Sequence, residues 1–384
     1  MGNHRRVVVC VSSLLLVLAA ITNAAFGRQG ACPPGWGPAF VVDPAEYPFA
    51  HQCVELEHGV VHYLDEGPRV DPVGTAILFH GNPTWSFMYR EVVADLVADG
   101  WRVIAPDLYG FGLSDKPDPD SFAYSARSHA DAMTAFVQAL EVRDAVLVVH
   151  DWGGPIGFTV AGREASRFRG VVVLNTWAWP ITPENAALFH DSLDWVNTNV
   201  TRSEAMIASG VLPRRVGESL ALLHGPRGSA AYDAVRDAYW APFLEVDTGR
   251  PRSDDHMQPT NRPYHFLSSD PALMLEAEAG VIAMSDRPVF FVIGARDALL
   301  GALRCDASAA QVCPDASFCR VVDGLEVCID ERSRQARFPA LEEFLSRWDA
   351  GLVRGVTIAR DASHFVAEYE PEAIADAVRA VGGG

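Results

Sequence analysis

The chain has 384 residues, 49% apolar and 21% charged, with a formal net charge of −18. That much apolar mass supplies a sizeable core and excludes a disordered or fibrous chain. No block of Lys and Arg occurs, which argues against nucleic acid and anionic membrane surfaces as partners.

The first segment is "HRR" (His4 to Arg6), followed by the apolar run "VVVCVSSLLLVLAAI" and small residues around Ala24 and Ala25. This is the layout of a secretory signal peptide. Residues 1–25 are therefore expected to be removed, leaving an exported chain, periplasmic or secreted, with no stable membrane association. The alternative is an uncleaved anchor. Cleavage removes Cys10 and leaves Cys32, Cys53, Cys305, Cys313, Cys319 and Cys328. An even set in an exported chain reads as disulfides. Four of these cysteines lie close together, predicting two bridges there, with Cys32 and Cys53 left to tie down the N-terminal arm. Zinc is the weaker reading, because no tight C-x-x-C pair occurs.

After the Pro/Gly-rich "ACPPGWGPAF", alternation predicts short strands near "HQCVELE" and "VVHYLDEG". A repeating order follows: strand "TAILFHG", a helical stretch from Trp85 to Asp99, strand "RVIAPDL", and helix "YSARSHADAMTAFVQAL". Then come strand "AVLVVHD", helix "GPIGFTVAGREA" and strand "GVVVLNT". Strands alternating with helices of this length predict a mostly parallel, doubly wound α/β sheet. The alternation stops at Trp177 to Pro180, and the next hundred or so residues read as helical and irregular. "RPVFFVIGARD" and "GVTIARDASHF" resume the strands. The expected organisation is a core over 26–178, a helical cap over 179–285, and the rest of the core over 286–384. A Cys-rich insertion at 301–334 interrupts that last part.

Functional groups in open α/β sheets collect at the C-terminal ends of strands. Asp151 ends one strand and is followed by Gly153 and Gly154, which permit a sharp turn into a helix. This is the nucleophile-elbow layout with Asp in place of Ser; a helix-capping Asp is the bland alternative. Asp297 follows the next-to-last strand and His364 follows the last. Nucleophile, acid, histidine is the chain order of the α/β-hydrolase arrangement. The loop after His80 and Gly81 is placed to supply one oxyanion N–H, from Asn82, and the other comes from Trp152. Asp107, in "PDLYGFGLSDKP", reads as a structural brace, and "NVT" at Asn199 fits a glycosylation pattern.

"HGNPTWSFMYR", "APDLYGFGLSDKP", "VVHDWGGPIGF", "VIGARDALLG" and "DASHF" together resemble the haloalkane dehalogenases of the α/β-hydrolase superfamily. The resemblance covers Val54 to Asn175 and the two final strands, while the cap matches in position and length alone. It implies the α/β-hydrolase fold with an inserted helical cap, and it implies Asp151, Asp297 and His364 as catalytic residues. Asn175 stands where some members carry a Glu acid, so Asp297 takes that role, as in the subgroups with an Asp acid. Asn82 and Trp152 are then the halide ligands, and no cofactor or metal is needed. An ionised carboxylate suits attack on an sp³ carbon. A departing halide needs donors without competing lone pairs, and the indole N–H and the amide NH₂ provide them. The implied partners are a small apolar halogenated substrate, water and halide ion. Two alternatives remain at this point. One is an epoxide hydrolase with the same Asp151; the other is a non-catalytic binding protein on this fold.

Overall fold

The apolar runs "TAILF" and "AVLVV" become two neighbouring parallel strands, β4 (Thr75–Phe79) and β6 (Ala145–Val149), at the middle of the sheet. All five residues of β6 are buried, as a strand covered on both faces requires. The structure, a computed structural model, describes residues 29–32, 42–180, 182, 211–243, 270–297, 319–322, 325–328 and 339–383. The expected signal peptide, Cys305, Cys313, Asn199 and most of the insertion at 301–334 lie outside the described residues.

Three strands stand at one edge: β1 (Gln29–Ala31), β2 (Gln52–Leu56) and β3 (Gly59–Glu66), paired antiparallel in that order. β3 joins β5 (Arg102–Pro106), also antiparallel. From there the order is β5-β4-β6, then β7 (Phe168–Val173), β8 (Val289–Gly294) and β11 (Val353–Ala359), all parallel. A Cys32–Cys53 disulfide ties the arm to β2. Within the insertion, β9 (Cys319–Val322) and β10 (Leu325–Cys328) pair antiparallel, with Cys319 opposite Cys328 in register.

Helices cover both faces. On one lie α2 (Ala126–Ala139) and α3 (Gly153–Arg163), with Met133, Phe136 and Phe158 in the apolar layer. On the other lie α1 (Arg90–Ala98), preceded by a 3₁₀ turn at Ser86–Tyr89, and the C-terminal α9 (Pro371–Gly382).

In the inserted segment α4 (Val211–Ala221) and α5 (Ala230–Trp240) pack on each other. Val216, Leu220, Val235 and Tyr239 join the buried cluster that holds Trp85 and Phe87. The sequence boundary also assigns α6 (Pro271–Met284) to the cap, but this helix packs on α3 of the core. The reason is a glycine crossing. Gly280 lies so near the Phe158 carbonyl and the Gly162 backbone that a Cβ there would clash with main chain.

Core and inserted segment are also joined by charge. Arg90 makes two bonds to Glu368, 2.6 and 3.0 Å, on α8 (Val366–Tyr369). Glu368 also meets His224 at 3.0 Å and accepts from the Tyr239 hydroxyl. Burial raises the Glu368 pKa, and Arg90, His224 and Tyr239 together more than reverse that. The Arg90 and Glu368 side chains are only 2% and 1% exposed. Removing one member strands the other, so Glu368→Ala is expected to cost about 3–5 kcal/mol of stability. Urea denaturation checks this, and a loss below about 1 kcal/mol would show that the cluster does not hold these segments together.

Candidate active site

Asn82, Asp151, Asn175, Asp297 and His364 follow β4, β6, β7, β8 and β11. Parallel pairing therefore brings all five to one edge of the sheet, where the strand order reverses. Asp151 adopts φ 50°, a conformation that costs a non-glycine residue about 1 kcal/mol or more. It is held there by three bonds. The Asp151 N–H donates to the Asn175 carbonyl at 3.0 Å, its carbonyl accepts from Gly154 N at 2.9 Å, and Thr176 Oγ1 donates to the same carbonyl at 2.6 Å. Gly81 must lack a side chain, because a Cβ there would overlap the Asp151 carboxylate.

Both Asp151 carboxylate oxygens are engaged. Oδ1 accepts the backbone N–H of Asn82 at 2.8 Å, and Oδ2 lies 3.2 Å from His364 Nε2. The other His364 nitrogen, Nδ1, is 2.9 Å from Asp297 Oδ2. All three side chains are buried. Burial pulls the His364 pKa down, but Asp297 and Asp151 on either side more than reverse it, to about 10. The ring is thus held protonated between two carboxylates. If Asp151 were converted to a neutral ester, one of those charges would vanish and the ring would become a better base.

The structure brings together every residue that the sequence places in the triad and the oxyanion loop. Asn82 and Trp152 line one small apolar cavity with Gly81, Leu108, Phe111, His129 and Ile156. The Trp152 ring packs edge-on against Trp177, centroids 4.9 Å apart. Asp107 proves to be a brace, accepting from Ser86 N at 2.8 Å and Leu113 N at 2.9 Å and meeting His62 Nδ1 at 2.9 Å.

The hydrogen-bonding roles of three supporting residues were missed by sequence reasoning. Asn175 donates to Asp297 Oδ2 at 2.8 Å while its own Oδ1 accepts from Gly294 N at 2.8 Å. It thus spans nucleophile backbone and acid. His150 donates from Nε2 to the His364 carbonyl at 2.8 Å, and burial lowers its pKa to about 4, so the ring stays neutral. His80 donates from Nδ1 to the Gly81 carbonyl at 2.8 Å and accepts from Leu108 N at 3.0 Å, which fixes the loop before Asn82. The available signal was a polar residue flanking each catalytic strand end.

Comparison with known proteins agrees with this geometry. A family model described as the alpha/beta hydrolase fold matches residues 76–221. Haloalkane dehalogenase 2 of Mycobacterium tuberculosis (strain ATCC 25618 / H37Rv) is 44% identical over 141 residues, 37% of this chain and 47% of the relative. The chain thus spans about half the length of that relative. The haloalkane dehalogenase of Mycobacterium marinum is 31% identical over 266 residues, 66% of this chain and 80% of the relative. The cis-3-alkyl-4-alkyloxetan-2-one decarboxylase of Xanthomonas campestris pv. campestris is 30% identical over 265 residues, 65% of this chain and 81% of the relative. Among solved structures, a haloalkane dehalogenase of Paraglaciecola agarilytica NO2 superposes with a TM-score of 0.63 at 25% identity, covering 91% of this chain and 98% of that one. With the alpha/beta hydrolase match and a haloalkane dehalogenase relative 31% identical over 80% of its length, the chain belongs to the haloalkane dehalogenase family of the α/β-hydrolase superfamily.

Proposed function

We propose that the chain hydrolyses carbon–halogen bonds of haloalkanes through an alkyl ester on Asp151, giving alcohol, halide and a proton. One observation carries the reading. The Asp151 carboxylate stands between the Asn82 backbone N–H and His364, and Asn82 and Trp152 share the lining of one small apolar cavity. In the first step Asp151 displaces halide in line, and the Asn82 NH₂ and Trp152 N–H receive the departing ion. In the second, His364, oriented by Asp297, takes a proton from water as the water attacks the ester carbonyl. The Asn82 and Trp152 backbone N–H groups stabilise the oxyanion. The Cys32–Cys53 disulfide supports an exported, periplasmic or secreted setting for this reaction.

A second reading is favoured by the similarity to the oxetanone decarboxylase. Asp151 attack at the ring C–O carbon of a β-lactone would open it to an ester bearing a carboxylate. Loss of CO₂ with departure of Asp151 would then give an alkene, with no water consumed. Parallel assays separate these readings and the epoxide alternative: bromide and butanol from 1-bromobutane, diol from an epoxide, CO₂ and alkene from a cis-β-lactone. Equimolar bromide and butanol are expected. Turnover of the lactone or the epoxide with no bromide release would overturn the proposal.

A further inference from the structure

His364 and Asp151 meet across 213 positions of chain, so the two loops that carry them must be held in register. Asp297 fixes the His364 ring at Nδ1, but a ring tied at one nitrogen still moves with its main chain. On one side the His364 loop is pinned to the end of β8. Arg296 N donates to the Ala362 carbonyl at 2.9 Å, and Gly294 lies so near the Ser363 carbonyl that a Cβ there would overlap it. On the other side the His364 carbonyl accepts from His150 Nε2 at 2.8 Å.

His150 directly precedes Asp151. Its N–H donates to the Phe79 carbonyl at 3.3 Å, and its carbonyl accepts from Gly153 N at 2.8 Å. The side chain is fully buried, with the ring centroid 4.7 Å from that of His364 and 6.0 Å from that of Phe365. A carbonyl oxygen can only accept, so the single proton of the neutral ring sits on Nε2. The other nitrogen, Nδ1, is buried and meets no hydrogen-bond partner among the described residues. Such an unsatisfied atom costs about 1–3 kcal/mol. A Phe would fill the same space without that cost, so packing alone does not account for a His here. The bond made by Nε2 does.

We propose that His150 is a positioning residue for ester hydrolysis: its Nε2–H, by holding the His364 carbonyl, keeps the loop of the base in register with the strand that carries the nucleophile. The inference rests on the reading of Asp151 as the alkylated residue and adds what aligns the base for the second step. Alkylation does not depend on this bond, because Asp151 Oδ1 is held by the Asn82 N–H. Hydrolysis does depend on it, because His364 Nε2 must reach the proton of the attacking water, and a misplacement of about 1 Å is costly. Reach also matters in the donor. The Gln amide nitrogen stands as many bonds from Cβ as His Nε2, whereas the Asn amide nitrogen stops one bond short, at the place of Nδ1.

The test uses the full chain and 1-bromobutane in a quenched single turnover, reading bromide, butanol and the butyl-modified chain by mass spectrometry. His150→Phe keeps a ring and removes the donor. It is expected to leave the bromide burst near the wild-type rate and to slow breakdown of the butyl ester about tenfold, so that the modified chain accumulates. His150→Gln should recover most of the hydrolysis rate, and His150→Asn should stay as slow as the Phe variant. His150→Leu replaces the Phe variant if that one does not fold. Wild-type ester breakdown in the folded apolar variant would overturn the proposal, as would a Gln variant no faster than Asn. A burst slowed as much as hydrolysis would also overturn it, because that points to a general packing defect. If the wild-type chain neither releases bromide nor acquires a butyl group, the dehalogenase reading fails and the step served by His150 with it. A functional wild type with an unaffected Phe variant removes His150 alone.

Discussion

Asp151→Ala is expected to lower kcat/KM for 1-bromobutane by at least about 10⁴-fold. The reason lies in the number of tasks assigned to one carboxylate. In the proposed reaction it supplies the electron pair that forms the new C–O bond, and it accepts the Asn82 backbone N–H. It also helps hold the proton on His364, 3.2 Å away. With Ala in its place no ester forms, and the remaining groups have only an unactivated water to direct at an alkyl halide. Bromide release measured against a far-UV spectrum of the folded variant checks this. Activity above about 1% of wild type would place the nucleophile elsewhere.

The fold was legible in the sequence because its strands are covered on both faces. Uninterrupted apolar runs such as Ala145–Val149 can be little else when helices of regular period separate them. The same property exposed the triad. Asp151, Asp297 and His364 each stand just past such a run, where a polar residue calls for explanation. Asn82 and Trp152 were singled out for the same reason, being anchored to strand ends, and the structure places both on one cavity.

Other residues were harder to read, because their roles depend on what lies across a gap in sequence. Asn175 was noticed only for the charge it lacks. Its contribution is the bond to Asp297, 122 positions later. Glu368 looked like an ordinary helix residue until the fold placed it against Arg90, His224 and Tyr239. The misassigned helix Pro271–Met284 has a similar origin. Its close approach to Gly162 is a tertiary fact that no periodicity encodes. Polar groups at strand ends announce themselves in sequence, whereas those that orient them do not.

The central claim is that Asp151 becomes covalently attached to substrate and that His364 acts only afterwards. Alkylation of Asp151 needs no base, since the carboxylate is the attacking species. Hydrolysis of the ester does need one. It falls to the ring held 2.9 Å from Asp297, which becomes the better base once the Asp151 charge has gone into the ester. His364→Phe therefore separates the two steps, leaving the first possible and removing the base for the second. Incubated with 1-bromobutane, this variant should release about one equivalent of bromide per chain and then stop. Mass spectrometry of the intact variant should show the gain of one butyl group, and peptide mapping should place it on Asp151. An unmodified chain after a stoichiometric excess of substrate, or a butyl group on any other residue, would contradict the account.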